Sequence, residues 1–382
     1  MSDPARELDQ LLSEEPSVAA RRASAKTIGP DTKILLFGAG TTGMYVLERL
    51  RCAGRDAAAF LDDTPSKQGT TIRGVPVLSP ADASAKFGSD AVFVVTMLNP
   101  MLPFRAARAR LQSITSAPVI SFNELAWAFP AHFLPYIQFE MPGDVLAKKD
   151  DIVEAFRLFA DDESRRQFAA HMRFRLHLDH DALPVNSKAD YFPKDVVPPL
   201  RPDCVFVDSG AFDGDSIRRF LAEQHGQFDQ VFAFEPDAAN CERLRDYVHT
   251  LPEAMAQRIH VHCAANGDRR GTLRFNMTGN ASAALSDAGS VEVDVVRIDE
   301  IVPLDRAQVY VKYDVEGGEW EALRGTERLL AASPPLLAVS IYHRPDDLWQ
   351  LPLYLHRLNL GYRLYLRTQG EDGMDVICYA IP

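Results

Sequence analysis

Apolar and polar residues follow the same rhythm in two separate parts of the chain. The first part opens with the apolar run KILLF, a glycine turn and a helical stripe of Met44, Val46, Leu47 and Leu50, and the apolar runs AAAFL, AVFVVTM and PVISF follow. The second part opens at Cys204 with CVFVD and continues through VFAF, IHVH, VYVKY and LLAVSIYH, with helical patterns between most of these runs. Strands that alternate with helices predict a parallel α/β sheet in each part.

A different pattern separates the two parts. AFRLFADDESRRQFAAHMRFRL is helical, and a turn-rich stretch follows it. We therefore predict an α/β protein with two Rossmann-like domains joined by a helical linker. The predicted segments are an N-terminal helix and connector, a Rossmann-like nucleotide-binding-type domain, a helical linker and lid segment, and a C-terminal domain: 1–30, 31–130, 131–200 and 201–382. The C-terminal sheet is predicted to be mostly parallel, with seven strands and a final antiparallel pair, YRLYLRT and MDVICYAI.

Composition and charge limit the kinds of molecule that the protein is expected to bind. Of the 382 residues, 46% are hydrophobic and 25% are charged, which is typical of a globular protein. The net charge is -12 and no basic cluster is present, so we expect neither a nucleic-acid nor a membrane partner. The five cysteines are scattered and predict neither a zinc site nor a disulfide framework. Because the first residues also lack the apolar core of a signal peptide, we expect a cytoplasmic protein.

The segment VDSGAFDGDS indicates a ligand-binding loop. A strand ends there, glycines allow close backbone approach, and a helix begins, as at the ligand-binding edge of an open parallel sheet. Aspartates in the loop would repel a pyrophosphate, so the loop favours a cofactor with an ammonium or sulfonium group. The predicted cofactor-binding residues of this loop are Asp208, Ser209, Gly210, Phe212, Gly214 and Asp215.

A second acid follows at the end of the next strand, in FEPD. Glu235 lies about 20 residues beyond the glycine loop, where an acid holds a ribose diol, and Pro236 adjoins it. Asp237 is predicted to cap the following helix instead. A cationic group at the first loop and a ribose at Glu235 together describe S-adenosylmethionine.

VDSGAFDGDS, FEPDAANCERL, the insertion that reaches VVRIDEI, and VKYDVEGGEWEALRG together resemble the motifs of the FkbM-type methyltransferase family. The resemblance covers about residues 190 to 380 and implies a class I methyltransferase fold, S-adenosylmethionine as cofactor and O-methylation. It assigns Asp208, Gly210 and Gly214 to the cofactor loop, Glu235 to the ribose and Asp314 to the methyl-transfer region. Tyr313 stands where the family often has an aliphatic residue.

Methyl transfer to an alcohol benefits from a base, because a hydroxyl is a poor nucleophile until it loses its proton. His343 follows the fifth strand, at the same sheet edge as Asp314, and we predict it as the general base with Asp314 as a second catalytic residue. Glu316 is the other candidate to orient it, and Lys312 and Glu319 are weaker candidates. A histidine at this position can also simply cap the next helix. We predict no metal, although a metal bound by Asp314, Glu316 and His343 stays open.

The first part has a glycine motif of its own. Gly38, Gly40 and Gly43 form GxGxxG between a strand and a helix, and Asp62 follows about 20 residues on. With FLDDTPSKQGTTIRGVPVLSP, this part resembles the nucleotide-binding domain of bacterial sugar acetyltransferases. That resemblance implies that the loop binds the phosphates and Asp62 the ribose of a sugar nucleotide. The alternative that this part is a scaffold without a ligand stays open.

These patterns predict an S-adenosylmethionine-dependent methyltransferase that acts on a hydroxyl of a small-molecule or glycan acceptor. Two alternatives stay open: a nicotinamide-dependent oxidoreductase that uses the first glycine motif, and a non-catalytic sugar-nucleotide-binding protein. No Tyr-x-x-x-Lys or similar hydride-transfer set accompanies the first motif, which weighs against the oxidoreductase. The sequence leaves open whether the protein forms a homodimer.

Overall fold

The structure is a computed structural model that describes residues 3–24, 28–97, 102–184, 191–275 and 291–382. It divides into two compact units. The first unit comprises residues 1–149, 169–184 and 370–373. The second unit comprises residues 150–168, 185–369 and 374–382. No described helix is both long and apolar enough to cross a membrane.

The first unit contains a six-stranded sheet with the order β3-β4-β2-β1-β5-β6. Its strands are β1 (Lys33–Phe37), β2 (Ala57–Leu61), β3 (Thr71–Ile72), β4 (Val75–Leu78), β5 (Ala91–Val95) and β6 (Val119–Ser121). Every neighbouring pair is parallel except β3 and β4. The apolar runs of the sequence therefore become buried parallel strands, as predicted.

Helices accompany this sheet in the first unit. They are α1 (Pro4–Leu11), α2 (Pro16–Ser24), α3 (Thr41–Cys52), α4 (Pro80–Phe87), α5 (Phe104–Gln112), α6 (Phe122–Ala128), α7 (Pro130–Phe133) and α8 (Pro142–Leu146). Of the predicted stripe in α3, Val46, Leu47 and Leu50 are buried and Met44 is partly buried, and this burial fixes the face of the helix that packs inward. Ser121 and Glu124 form a capping box that sets the start of α6.

The predicted helical linker is present. The stretch that reads as one helical pattern in the sequence forms two helices. These are α9 (Lys149–Leu158) and α10 (Asp162–His177). The break falls at residues 159–161, where the Asp161 carboxylate accepts a hydrogen bond from the backbone N–H of Ser164. A side-chain oxygen that bonds the first free N–H groups of a helix starts a new helix, so Asp161 explains the interruption.

The second unit contains a seven-stranded sheet with the order β15-β16-β14-β13-β7-β8-β9. Its strands are β7 (Val205–Ser209), β8 (Val231–Phe234), β9 (Ile259–His262), β13 (Val309–Tyr313), β14 (Leu336–Ser340), β15 (Arg363–Thr368) and β16 (Val376–Ile381). The first five are parallel, and β16 pairs antiparallel with both β14 and β15. The predicted mostly parallel sheet with a final antiparallel pair is confirmed.

Three short strands form a separate sheet in this unit. They are β10 (Ala265–Asn266), β11 (Gly271–Phe275) and β12 (Val291–Val296). β12 pairs antiparallel with β11 and parallel with β10. The insertion that reaches VVRIDEI thus contains β11 and β12, and its residues 276–290 lie outside the described residues.

The helices of the second unit follow its strands. Besides most of α9, they are α11 (Asp215–Glu223), α12 (Ala238–His249), α13 (Glu253–Ala256), α14 (Glu319–Arg324), α15 (Glu327–Ala332) and α16 (Asp347–Arg357). Ile217 and Phe220 of α11 are fully buried, as their helical spacing predicts, and the ring of Phe220 stacks on Phe206 of β7. This packing holds α11 against β7, and the predicted ligand loop connects the two elements.

The cysteine prediction was wrong in one respect. Cys241 of α12 and Cys263, which follows β9, form a disulfide with a Cα–Cα separation of 5.8 Å. The two are 22 residues apart in the chain, and only the packing of α12 beside β9 brings them together. Spacing along the sequence therefore contained no signal for this pair.

Candidate active site

The loop after β7 is shaped by two glycines with positive φ. Gly210 has φ +87°, and a Cβ atom there would lie 1.8 Å from the carbonyl oxygen of Asp314. Gly214 has φ +91° and precedes the first residue of α11. Only glycine adopts both the backbone angle and the close approach at Gly210 without strain. This loop therefore lies directly against the end of β13.

Most aspartates of the loop after β7 bond to other protein groups and do not line the cleft. Asp208 is fully buried, and its carboxylate accepts hydrogen bonds from Lys312 Nζ at 3.0 Å and Ser216 Oγ at 2.8 Å. Asp213 pairs with Arg218 at 2.8 Å. Asp215 alone among the loop aspartates lines the cleft described below. The expectation that several loop carboxylates attract a cationic cofactor is thus weakened, because Lys312 and Arg218 neutralise two of them.

Lys312 is the counter-charge at the base of the loop. Its side chain is 3% exposed, and besides Asp208 it donates a hydrogen bond to the carbonyl of Gly210 at 2.7 Å. Burial disfavours its ammonium, but the charges of Asp208, Asp314 and Asp215 outweigh burial and raise the pKa of Lys312. Lys312 therefore stays charged and ties the loop to β13.

Glu235 stands at the end of β8 with both carboxylate oxygens engaged. Oε1 accepts hydrogen bonds from the backbone N–H of Asp237 at 2.8 Å and from Asn240 Nδ2 at 3.3 Å, and Oε2 accepts one from the N–H of Phe212 at 2.8 Å. Burial raises the pKa of Glu235. A carboxylate accepts about four hydrogen bonds, so these three leave room for a hydroxyl of a ligand. Asp237 caps α12, as predicted.

An open cleft with about 800 Å³ of space between its walls lies at the carboxyl ends of β7, β8 and β13. The predicted residues on its walls are Gly210, Phe212, Asp215, Glu235, Pro236, Asp314, Glu316 and Lys312. Residues that sequence reasoning did not place there complete the walls: Tyr191, Phe234, Asn240, Ala264, Ala265, Asn266, Val315 and Gly318. Three predicted residues lie beneath the cleft or beside it. Asp208 is buried under the loop, Ser209 donates a hydrogen bond to Asn266 at 2.6 Å, and Gly214 begins α11.

Asp314 lines the cleft after β13, on the other side of β7 from the strand that Glu235 follows. Its Oδ2 accepts a hydrogen bond from the Tyr191 hydroxyl at 2.8 Å, and its Oδ1 accepts one from Ser340 Oγ at 2.9 Å. Burial would raise the pKa of Asp314, but the nearby charges of Lys312 and His343 outweigh it and lower the pKa. Asp314 is therefore an oriented carboxylate at the cleft. No sequence pattern had indicated the Tyr191 hydroxyl as its partner.

His343 lies behind Asp314 and is almost fully buried. Its Nδ1 is 2.8 Å from Glu319 Oε1, and its Nε2 is 3.5 Å from both Asp314 Oδ1 and Glu316 Oε2. Burial disfavours its charged form, but the carboxylates of Glu319, Glu316 and Asp314 outweigh burial and raise the pKa of His343 to about 10. An imidazole that is protonated at neutral pH accepts no further proton. The role of general base thus stays a prediction that requires the surrounding negative charge to be offset.

The first unit places its glycine motif between β1 and α3 as the sequence predicts, and its acid forms an ion pair with a lysine. Asp62 accepts hydrogen bonds from Lys67 Nζ at 2.8 Å, from the N–H of Thr64 at 2.9 Å and from the N–H of Ala39 at 3.2 Å. A Cβ atom at Gly43 would lie 2.0 Å from the carbonyl oxygen of Gly38, so α3 packs directly on the loop. Asp62 thus differs from Glu235 in that one of its three hydrogen-bond donors is a lysine, and the nucleotide role of this loop, including Gly40, stays a prediction.

Comparison with known proteins gives a family match in the second unit. Residues 208–366 match the family model described as Methyltransferase FkbM domain. The structure is similar to that of a methyltransferase FkbM from Methylobacillus flagellatus KT, at 23% identity over 98% of this chain and 97% of that chain, with a TM-score of 0.78. This likeness shows a shared fold.

Other solved structures are much less similar to the chain. A precorrin-6y C5,15-methyltransferase from Geobacter metallireducens GS-15 is 16% identical over 48% of this chain and 81% of that chain, with a TM-score of 0.30. Similarity at that level supports no argument about this chain. No curated protein matches it.

Proposed function

We propose, from the premise that residues 208–366 form a methyltransferase domain of the FkbM family, that the protein transfers a methyl group from S-adenosylmethionine to a hydroxyl of a small molecule or sugar. The observation that supports this proposal best is that Glu235 and Asp314 line one cleft and follow the two strands on either side of β7. Open α/β sheets bind their ligands at this edge, next to the point where the strand order reverses.

In this proposal Glu235 binds the ribose of the cofactor. Its Oε2 is the better acceptor for a ribose hydroxyl, because it accepts one hydrogen bond from the protein while Oε1 accepts two. The long contact of 3.3 Å from Asn240 is the easiest to exchange for a second hydroxyl. The adenine would then lie toward Ala264, Ala265 and Asn266, which form the wall beyond Glu235.

The methyl group would face Asp314 across the cleft. A sulfonium supplies the driving force of methyl transfer, so the protein mainly aligns the donor with the acceptor oxygen. Asp314 is suited to orient that acceptor, because Tyr191 and Ser340 hold its two oxygens at fixed positions. A hydroxyl that donates a hydrogen bond to Asp314 would present its lone pairs toward the donor.

Calorimetry with the purified chain tests the cofactor assignment. We expect micromolar binding of S-adenosylmethionine and its loss in Glu235→Ala, whereas Glu242→Ala, an exposed acid on the same helix as Asn240, should bind like the wild type. Binding of NADH without S-adenosylmethionine would favour an oxidoreductase, and binding of a nucleotide sugar alone would favour a sensor. Either result would overturn the proposal.

The acceptor class needs a second experiment. The protein is incubated with methyl-labelled S-adenosylmethionine and a panel of sugars and hydroxylated small molecules. Label in an ether that survives mild alkali indicates O-methylation of a hydroxyl, whereas alkali releases the label from a methyl ester. Label on nitrogen would contradict the hydroxyl assignment while leaving the cofactor assignment intact.

A further inference from the structure

A histidine and two acids converge behind the Asp314 wall of the cleft. Among the residues that the structure describes, Asp314, Glu319 and His343 form a group in which one possible ligand atom of each lies within 4.8 Å of the others. They come from three elements that meet at one sheet edge: the end of β13, the start of α14 and the segment after β14. The fold, rather than one local motif, therefore assembles the group.

Two buried atoms of this group have no hydrogen-bond partner among the described residues. They are His343 Nε2 and Glu319 Oε2, on side chains that are 4% and 1% exposed. His343 Nε2 faces two carboxylates at 3.5 Å and forms a hydrogen bond to neither. Burying a polar atom without a hydrogen-bond partner is unfavourable, so two such atoms in one cluster favour a ligand there.

Glu319 also orients the histidine. Its Oε1 lies 2.8 Å from His343 Nδ1 and accepts the N–H of Val315 at 2.9 Å. A carboxylate that accepts a hydrogen bond from Nδ1 leaves Nε2 as the atom available to a ligand. The same arrangement of carboxylate and imidazole is common around histidines that bind metals.

We propose that His343 Nε2 and the carboxylates of Asp314 and Glu316, each 3.5 Å from it, form a binding site for a divalent transition-metal ion, and that Glu319 orients the imidazole from Nδ1. Mn²⁺ is the suitable probe. One imidazole nitrogen with carboxylate oxygens suits such an ion better than Mg²⁺ or Ca²⁺, which prefer oxygen ligands alone. Three protein ligands leave coordination positions open for a substrate. Asp314 also lines the cleft, so those open positions face the space assigned to the acceptor.

The role of this ion rests on the proposed function. A divalent ion that binds the acceptor oxygen lowers the pKa of its hydroxyl, which then loses its proton to solvent. The oxygen forms a bond to the methyl carbon while the sulfur–carbon bond breaks and the sulfur keeps the electron pair. The site would thus select acceptors whose hydroxyl has a second oxygen close enough to chelate the same ion.

Electron paramagnetic resonance tests the site without any assay of activity. The full chain is freed of metal with a chelator and titrated with Mn²⁺, and the signal of the free ion is followed. We expect one tightly bound ion per chain and at least about 10-fold weaker binding in Glu319→Gln and in His343→Gln. Glu321→Gln is the matched control, because Glu321 lies on the same helix but pairs with Arg344 at the surface.

The outcomes separate this proposal from the proposed function. Circular dichroism checks that each variant is folded. The Mn²⁺ titration of the wild-type protein tests the metal site even if a variant does not fold. Absence of bound Mn²⁺ in the wild type up to about 1 mM would overturn the metal site, as would equal binding in Glu319→Gln and Glu321→Gln. S-adenosylmethionine is titrated separately into the metal-free protein, and its failure to bind would count against the proposed function alone.

Discussion

The two glycine loops of this protein look alike in sequence and differ in what their acids do. Each loop follows the first strand of its sheet, and each has an aspartate or glutamate at the end of the next strand. Asp62 is ion-paired with Lys67 at 2.8 Å, whereas Glu235 accepts hydrogen bonds from neutral groups and lines an open cleft. A carboxylate whose charge is already neutralised by a lysine binds a further ligand only weakly. Spacing therefore predicts where an acid lies, while its partners decide whether it is available.

A second pair of residues extends this comparison. Each unit has a lysine on an aspartate near its loop: Lys312 with Asp208 at 3.0 Å and Lys67 with Asp62 at 2.8 Å. The side chains of the first pair are 3% and 0% exposed, and those of the second are 41% and 11% exposed. The value of an ion pair depends strongly on its burial, so these two pairs should respond very differently to the same substitution.

The largest effect is expected for Lys312→Met. Removal of the lysine leaves Asp208 as a buried carboxylate without its cation, which should lower the free energy of unfolding by about 3–5 kcal/mol. Urea denaturation measures this change. The double variant Lys312→Met with Asp208→Asn should recover part of the loss, and a single variant as stable as the wild type would contradict the account of the buried pair.

Gly210→Ala should have the next largest effect. Its new Cβ atom would lie 1.8 Å from the Asp314 carbonyl oxygen in a residue with φ +87°, so the loop and the end of β13 must move apart. We expect a loss of about 3 kcal/mol of stability. Gly40→Ala in the other loop is the control, because no atom lies within 4 Å of its new Cβ atom. Equal losses in both variants would refute the assigned contact.

Glu235→Gln should weaken S-adenosylmethionine binding about 10- to 100-fold, which corresponds to the loss of a hydrogen bond to a charged acceptor. The substitution preserves the shape of the side chain, so calorimetry reports mainly the change in charge. Asp62→Asn is the counterpart in the first unit and should leave the affinity unchanged. A larger effect from Asp62→Asn would reverse the proposed assignment of the two loops.

Lys67→Met should have the smallest effect, with a loss of under about 1 kcal/mol, because the lysine side chain is 41% exposed to solvent. Burial raises the pKa of Asp62, but Lys67 and the backbone of Thr64 and Ala39 outweigh it and lower the pKa below 3.8. A lowered carboxyl pKa stabilises the fold above its ordinary value and loses this contribution as the pH falls through the lowered value. The stability difference between wild type and variant should therefore shrink below about pH 4, as thermal melts in acid can show.

Periodicity and strand-end chemistry predicted most of the architecture. Four of the six strands of the first sheet, the strands of the seven-stranded sheet with their final antiparallel pair, the helix cap at Asp237 and the position of Glu235 and Asp314 on one edge follow from local patterns. The short strands β3 and β4 were not predicted. Local patterns suffice for these features because a buried parallel strand, a cap and a strand end each depend on a few neighbouring residues. The boundaries predicted for the domains stay predictions.

The missed features depend on contacts between distant parts of the chain. Tyr191 reaches Asp314 over 123 positions, and Lys312 reaches Asp208 over 104. A single sequence contains no signal for either pair, because the residues next to each side chain do not indicate its distant partner. The same limit explains why the sequence did not predict the pKa of His343. Its position at a strand end was predictable, but its pKa depends on three carboxylates whose distances only the fold determines.

The disulfide between Cys241 and Cys263 gives one side of the cleft a covalent reinforcement. The bond closes a chain loop that contains the whole of β9, and such a closure restricts the unfolded chain enough to favour the native state by roughly 3 kcal/mol. Cys241 adjoins Asn240, and Cys263 adjoins Ala264, so the bond joins two segments that line the cleft on the Glu235 side. Reducing agents should therefore loosen the Glu235 side of the cleft before they affect the Asp314 side, which contains no cysteine of the pair.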